Sequence, residues 1–184
     1  MRAFLDTCVI YPTVMREVLL GTAQAGLYQP QWSVRVAEEW ARAAARHGPA
    51  DEARARGEAA LMARDFPKGR VNYPPSLEDR LWLPDPNDRH VLAAAIAGSA
   101  DVIVTQNARD FPRQILAEEG LSRLDADGFM MGFWAANPRI VTTVCQDVLR
   151  RARTLAVPGG PHPIWQMRPL LKKARLPRLA KAIA

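Results

Sequence analysis

Asp6, Glu39, Asp88 and Asp110 are the residues of this chain with the chemistry of a metal centre. They stand in Phe4-Leu5-Asp6-Thr7, Glu38-Glu39-Trp40, Pro84-Asp85-Pro86-Asn87-Asp88 and Asn107-Ala108-Arg109-Asp110-Phe111. They lie far apart in sequence. Each falls at the end of an expected strand, or on a first or core-facing turn of an expected helix. A fold that gathers those ends makes an all-oxygen pocket, the donor set that hard divalent cations take. Each acid also has an ordinary explanation. Asp88 is at the third helical position if Asp85 caps the helix, where an acid gains ~0.3–1 kcal/mol from the dipole alone. Asp6 and Asp110 could cap the helices that follow them, and Glu38 and Glu39 could be solvated. Thr105 and Asn107 are common turn residues. The functional expectation rests on the four acids converging.

The elements that must position them are legible in outline. Residues 2–6 read as a short buried strand. Pro12 opens a helix with Val14, Val18 and Leu19 on its apolar face, and Gly26 ends it. Ser33 is a good N-cap for the next helix, with Val34, Ala37 and Ala41 inward. Gly48-Pro49 breaks the chain before an Ala- and Arg-rich amphipathic helix over 50–66. Residues 70–73 read as a second short strand, and Pro74-Pro75 and Leu83-Pro84 bound a loop. Asp85-Pro86 is a cap followed by Pro at the first helical position, a strong start signal; that helix runs to Gly98. Asp101-Val102-Ile103-Val104-Thr105 is the clearest strand, a near-continuous β-branched run. A helix opens at Pro112 and ends at Gly120, a strand follows at 122–124, and helices follow over about 126–136 and 138–155. Pro158-Gly159-Gly160-Pro161 reads as a linker before short helices around 163–174 and 177–183.

Strands alternating with helices imply a parallel sheet covered on both faces. In such a sheet, ligands bind beyond the carboxyl ends of the strands. Asp6, Asp88, Asn107 and Asp110 would emerge at that edge. Asp101 precedes its strand and would lie at the opposite edge.

The bulk properties fit one domain of 184 residues with a short appendage and a real core, 48% of residues being apolar. We expect residues 1–136 to form the main domain and 137–184 a basic helical extension. No stretch approaches the roughly 20 apolar residues that cross a bilayer. The start of the chain is too short in apolar residues and too acidic for a signal peptide, so a cytoplasmic protein is expected. Cys8 and Cys145 are too few for a disulfide framework, and Cys8 reads as a buried strand residue. The net charge of +6 is unevenly spread: residues 148–184 hold nine basic and no acidic residues, the rest 16 basic and 19 acidic. A basic tail suits a phosphate backbone or an acidic partner, or is a solvated helix face.

Several pieces in order resemble PIN-domain proteins, and among them the VapC-type toxin branch. They are Leu5-Asp6-Thr7-Cys8-Val9 with Tyr11-Pro12, Trp32-Ser33 followed by Glu38-Glu39-Trp40, the run from Leu83 to Ala95, and Ala100 to Asn107 leading into Asp110-Phe111-Pro112. Together they span residues 2–136. The resemblance implies a three-layer α/β/α fold with a small parallel sheet and C-terminal helices. It implies a Mg²⁺- or Mn²⁺-dependent ribonuclease, often the toxin of a toxin–antitoxin pair, with RNA as substrate, an antitoxin protein as partner, and a homodimer. Asp6, Glu39 and Asp88 match the family's acidic positions, with Glu38 adjacent to the second. The fourth acid falls in the family at or shortly after the residue matching Asn107; here that residue is an amide, and the role passes to Asp110 or stays with Asn107.

Phosphodiester hydrolysis needs an activated water and neutralisation of a phosphorane-like transition state, both of which Mg²⁺ or Mn²⁺ supplies. Asp6 and Asp88 would ligate one metal, with Glu39 and Asp110 holding waters or a second ion. Thr7 and Thr105 would orient carboxylates or phosphate, and Arg89, Arg109 and the tail would hold RNA backbone. The alternative is a PIN-like module that binds RNA or protein without cutting. A haloacid-dehalogenase type of phosphatase is disfavoured, because Cys8 stands where its second Asp belongs and the only lysines are Lys68, Lys172, Lys173 and Lys181. Phosphate-binding glycine motifs are absent. The three histidines have no zinc spacing, and His90 reads as a surface or packing residue. Most of the tryptophans read as core or interface.

Overall fold

The computed structural model describes residues 1–154 and 165–183. The expected linker at 158–161 and the start of the helix placed around 163 lie outside the described residues. In chain order the elements are β1 (Arg2–Leu5), α1 (Thr7–Ile10), α2 (Thr13–Gln24), β2 (Gln29–Ser33), α3 (Val34–Ala45), α4 (Pro49–Asp65), β3 (Arg70–Val71), α5 (Pro75–Arg80), a 3₁₀ turn (Pro86–Asp88), α6 (Arg89–Ala97), β4 (Val102–Val104), α7 (Arg113–Glu118), β5 (Ser122–Leu124), α8 (Ala126–Ala136), α9 (Pro138–Thr154), α10 (Met167–Lys173) and α11 (Pro177–Ile183). They form two compact units. One holds Met1–Tyr11 and Tyr28–Asp125; the other holds Pro12–Leu27 and Ala126–Ala184.

The first unit is the α/β body. Its five strands pair in parallel in the order β3-β2-β1-β4-β5. Phe4, Leu5, Ile103 and Val104 are fully buried, as a sheet covered on both faces requires. The chain leaves β1 and β2 toward β3, and leaves β4 toward β5. The right-handed crossover rule therefore puts α3 and α4 on one face and α6 and α7 on the other. The mixed α/β architecture with a five-stranded parallel sheet flanked by helices is the expected one. The direction of travel reverses between β1 and β4, which makes their carboxyl ends the topological switch point.

Local differences from the expected elements have physical causes. β2 is invisible in the sequence because Gln29, Pro30 and Gln31 break any strand pattern. Gln29 N donates to Met1 O toward β1, and Trp32 N donates to Gly69 O toward β3. The missing N–H of Pro30 therefore faces the side on which β3 has not yet begun, and no ladder bond is lost. Buried Gln31 donates from Nε2 to Gly98 O at 2.8 Å. β3 is two residues long rather than four. The expected loop at 75–84 contains α5, begun by Pro75 at its first position and held by Arg80–Glu119 and Tyr73–Glu78 hydrogen bonds. On α3, Ser33 caps as expected, accepting from Val36 N at 3.2 Å. Its inward face is Val36, Trp40, Ala41 and Ala44, while Val34 is 50% exposed. Cys8 lies in the first turn of α1 and not in a strand. At the end of α6 the left-handed residue is Ser99 (φ 49°), not Gly98. Gly98 is small because a Cβ there would lie 2.7 Å from Gln31 Oε1. Trp32 and Trp40 are core residues as expected; Trp82 is exposed.

The second unit is helical. Buried Asp127 on α8 accepts from Arg178 N at 2.8 Å and Leu179 N at 3.0 Å, so it caps α11 from outside that helix. Several basic residues beyond Asp147 are engaged within the unit. Arg178 pairs with Asp127, Arg151 with Glu17, Arg150 with Asp147, and Lys173 stacks over Trp165 at 4.9 Å. Among the described residues, no helix is long and apolar enough to cross a membrane.

Candidate metal centre

The site grows from the switch point. β1 ends at Leu5, and Asp6 N donates to Val104 O at 3.1 Å, which locks the first residue after β1 to the end of β4. Asp6 occupies the N-cap position of α1, but its side chain makes no capping bond. The carboxylate is 6% exposed and instead accepts from Thr105 Oγ1 at 2.7 Å and Cys8 Sγ at 3.0 Å. Burial, then the Asp6 charge, push the Cys8 thiol up to about 12, so the sulfur stays a protonated donor. Thr105 Oγ1 also accepts from Asn107 N at 2.9 Å. One hydroxyl thus orients Asp6 and shapes the turn that carries Asn107.

Asp85 caps the helix start as its sequence suggests, accepting from Asn87 N at 2.9 Å. The following 3₁₀ turn places Asp88 beside it. Asp88 makes no capping bond, and neither does Asp110, since α7 begins after Pro112 without a side-chain cap. Both accept from the Asn107 amide: Nδ2 lies 3.2 Å from Asp88 Oδ2 and also bonds Asp110 Oδ2. The ordinary capping explanations for Asp6 and Asp110 therefore do not describe their side chains, while Asp88 stands in the first turn after the Asp85 cap, where the dipole favours an acid. Asp85, Asp88 and Asp110 each offer an oxygen within 4.8 Å of the others, a group that could hold a metal ion. Asp88 is pushed up to about 6 by burial, and then by the charges of Asp6, Asp85 and Asp110. A carboxyl crowded by three others is the electrostatic signature of a site that a cation would relieve.

Glu39 reaches the edge from α3. Its Oε2 accepts from Thr7 Oγ1 at 2.8 Å, and its Oε1 lies 2.9 Å from His90 Nε2 and 3.5 Å from Arg35 Nε. Partial burial pushes Glu39 up, but the bonds from His90 and Thr7 and the nearby Arg35 hold it below the usual range. Glu38 points elsewhere, into a pair with Arg56 at 2.6 Å. Arg89 is half-buried with Nε on Pro86 O, and Arg109 is exposed. Asp101 accepts from Arg2 N at 2.7 Å at the opposite edge, where the strand direction puts it.

The structure thus brings Asp88 and Asp110 together with Asp85, sets Asp6 near enough to press on Asp88, and holds Glu39 through Thr7 and His90. Two participants were not singled out from sequence. Asp85 was visible only as a cap, although its spacing of three from Asp88 brings both acids to one turn. His90 is 1% exposed and not a surface residue; its contact with Glu39 bridges 51 positions and has no local signal.

A family model described as the PIN domain matches residues 2–109, more than half of the chain, and the chain belongs to the PIN-domain family. The match ends one residue before Asp110. No curated protein and no solved structure gives a match. PIN domains are generally metal-dependent nucleases. The donor set here fits a hard divalent ion, being all carboxylate with no sulfur or imidazole in the close group.

Proposed function

We propose that the protein is a metal-dependent ribonuclease, with Asp6, Glu39, Asp88 and Asp110 as its catalytic acids and Asp85 as an additional carboxylate. The observation that carries this reading is the convergence of Asp85, Asp88 and Asp110 at the sheet's switch point, with Asp88 pushed up to about 6 beside Asp6. Asp88, Asp110 and Asp85 would hold Mg²⁺ or Mn²⁺, with Asp6 at the same edge. A divalent ion there supplies charge neutralisation at the scissile phosphate and lowers the pKa of a water. The chain's own residues do the rest. Thr105 fixes the Asp6 carboxylate, and Asn107 holds Asp88 and Asp110 at a set separation. Thr7 and His90 hold Glu39 in one rotamer, ionised, where it can accept a proton from an attacking water. Arg89 and Arg109 flank the cluster and would meet backbone phosphates.

The similarity of the ordered pieces around Asp6, Glu39, Asp88 and Asn107 to VapC-type toxins supports a toxin of a toxin–antitoxin pair, with an antitoxin protein and a second copy of the chain as partners. The test is cleavage of total RNA by purified protein with Mg²⁺ or Mn²⁺, against EDTA, Asp6→Asn and Asp88→Asn. Metal-dependent cuts at discrete sites, absent in both variants, are expected. A second reading, a PIN-like module that binds RNA or protein without cutting, is favoured by the amide at position 107 where relatives place or closely precede an acid. RNA binding equal in wild type and Asp6→Asn, with no cleavage by either, would select it.

A further inference from the structure

The edge that carries the acids also carries a cavity of about 350 Å³ beyond the ends of β2 and β3. Arg35, Glu38 and Arg42 of α3 line it from one side, Asn72 and Tyr73 from the other. Its size is at the lower end of the range for small-ligand pockets. All strands are parallel, so this cavity and the acids share the carboxyl edge. With β2 between β1 and β3, it stands about two strand spacings, roughly 10 Å, from the end of β1.

Arg35, Glu38, Glu39 and Arg42 recur at helical spacing and face one side of α3. Arg35 joins the cavity to the acidic site, its Nε being 3.5 Å from Glu39 Oε1. The negative charge of Glu38 is taken by Arg56, at 2.6 and 3.2 Å. Arg42 is exposed and makes no hydrogen bond or close ion pair among the described residues; it acts on Glu38 only through its charge, and Glu38 is already paired with Arg56, so the guanidinium's donors are open to a ligand. The Tyr73 hydroxyl donates to Glu78 Oε2 at 2.9 Å, which anchors the ring at the wall. Asn72 is exposed, with its amide unengaged among the described residues. An aromatic face, an exposed guanidinium with open donors and an unengaged amide are the groups that hold a single-stranded nucleotide, by stacking, phosphate pairing and contact with the base edge.

We propose that this cavity binds one unpaired nucleotide of RNA adjacent to the scissile phosphate, its base against Tyr73 and at the Asn72 amide, its phosphate on Arg42. The proposal rests on the reading of RNA as substrate. Arg35 then links the filled pocket to Glu39, and the pocket sets the sequence preference of the cut.

The experiment is fluorescence anisotropy of the full chain with labelled single-stranded homopolymer octamers of A, C, G and U in EDTA, so that binding is read without cleavage. Wild type is expected to bind and to discriminate among the four. Arg42→Ala weakens all four alike, by roughly tenfold, and lowers the salt slope by about one. Asn72→Ala and Tyr73→Ala flatten the discrimination, and Tyr73→Phe, which keeps the ring but not its anchor to Glu78, retains more affinity than Tyr73→Ala. Circular dichroism melts check folding, and Arg42→Ala and Asn72→Ala are exposed positions that cannot unfold the core. Wild type binding none of the octamers, or all variants matching wild type, overturns the pocket. Mn²⁺-dependent cleavage by wild type is scored separately. Cleavage with binding unchanged in the variants keeps the nuclease and removes the pocket. Absence of cleavage with binding lost in Arg42→Ala and Tyr73→Ala keeps the pocket and removes the nuclease.

Discussion

The hydroxyl of Thr105 donates to Asp6 Oδ2 at 2.7 Å across 99 positions of sequence, and both residues are buried. The same oxygen accepts from Asn107 N. Thr105→Val deletes these two hydrogen bonds and a weaker one with Cys8 Sγ at 3.4 Å while keeping the shape, and leaves a buried carboxylate short of a donor. A loss of about 1.5–3 kcal/mol is expected from urea unfolding. RNA cleavage should fall at least tenfold, with Thr105→Ser close to wild type in both. Equal stability of the Val and Ser variants would remove this role.

Asp88 titrates at about 6 in the fold, against an ordinary 3.8. The folded state therefore binds this proton more tightly than the unfolded chain. The contribution to stability is fully present below pH 4 and is lost as pH rises through about 6. Since Asp88 is half-buried, solvent screening reduces the loss to about 1 kcal/mol. Asp88→Asn escapes it. In EDTA, its melting temperature should equal wild type's near pH 4 and exceed it by roughly 2–4 °C at pH 7. A difference that does not change with pH would contradict the crowding of Asp88 by its neighbours.

Asn107 bridges Asp88 and Asp110 by donating to both, which offsets their mutual repulsion. Asn107→Asp replaces the donor with a further carboxylate. The melting temperature in EDTA is expected to fall, and the rise on adding Mn²⁺ to exceed that of wild type, since the cation then relieves more repulsion. Thermal melts with and without Mn²⁺ read both effects; an unchanged Mn²⁺ response would place the ion away from Asp88 and Asp110.

His90 Nε2 meets Glu39 Oε1 at 2.9 Å, and His90 Nδ1 is buried without a partner among the described residues. His90→Leu removes the group that orients Glu39. Cleavage should drop roughly ten- to a hundredfold, as for other partners of site carboxylates. The loss should appear in kcat rather than in KM, because RNA contacts lie elsewhere. His90→Gln, which keeps a donor, should recover part of it.

Gly69 and Gly57 make a paired test of packing. A Cβ on Gly69 would lie 2.4 Å from the Trp32 ring and 2.9 Å from Pro30 O, whereas one on Gly57 meets nothing within 4 Å. Gly69→Ala should cost about 1–3 kcal/mol by overpacking. Gly57→Ala, inside α4, should stabilise by roughly 0.5–1 kcal/mol. Urea titrations of the two variants decide it.

The sequence by itself determined the elements whose signals are local. The β-branched run at Val102–Val104, the Ser33 cap and the Asp85-Pro86 helix start depend only on neighbours a few residues away. The alternation of strands and helices, which implies parallel strands, was enough to put Asp6, Asp88, Asn107 and Asp110 at one edge and Asp101 at the other. Only the tertiary structure decided what those side chains touch. β2 exists although its sequence opposes it, because Pro30 falls where its neighbour β3 has not begun. His90 and Glu39, Thr105 and Asp6, and Asn107 and its two acids are contacts between elements remote in sequence. Periodicity carries no information about such pairs, because what selects them is the geometry of the switch point between β1 and β4.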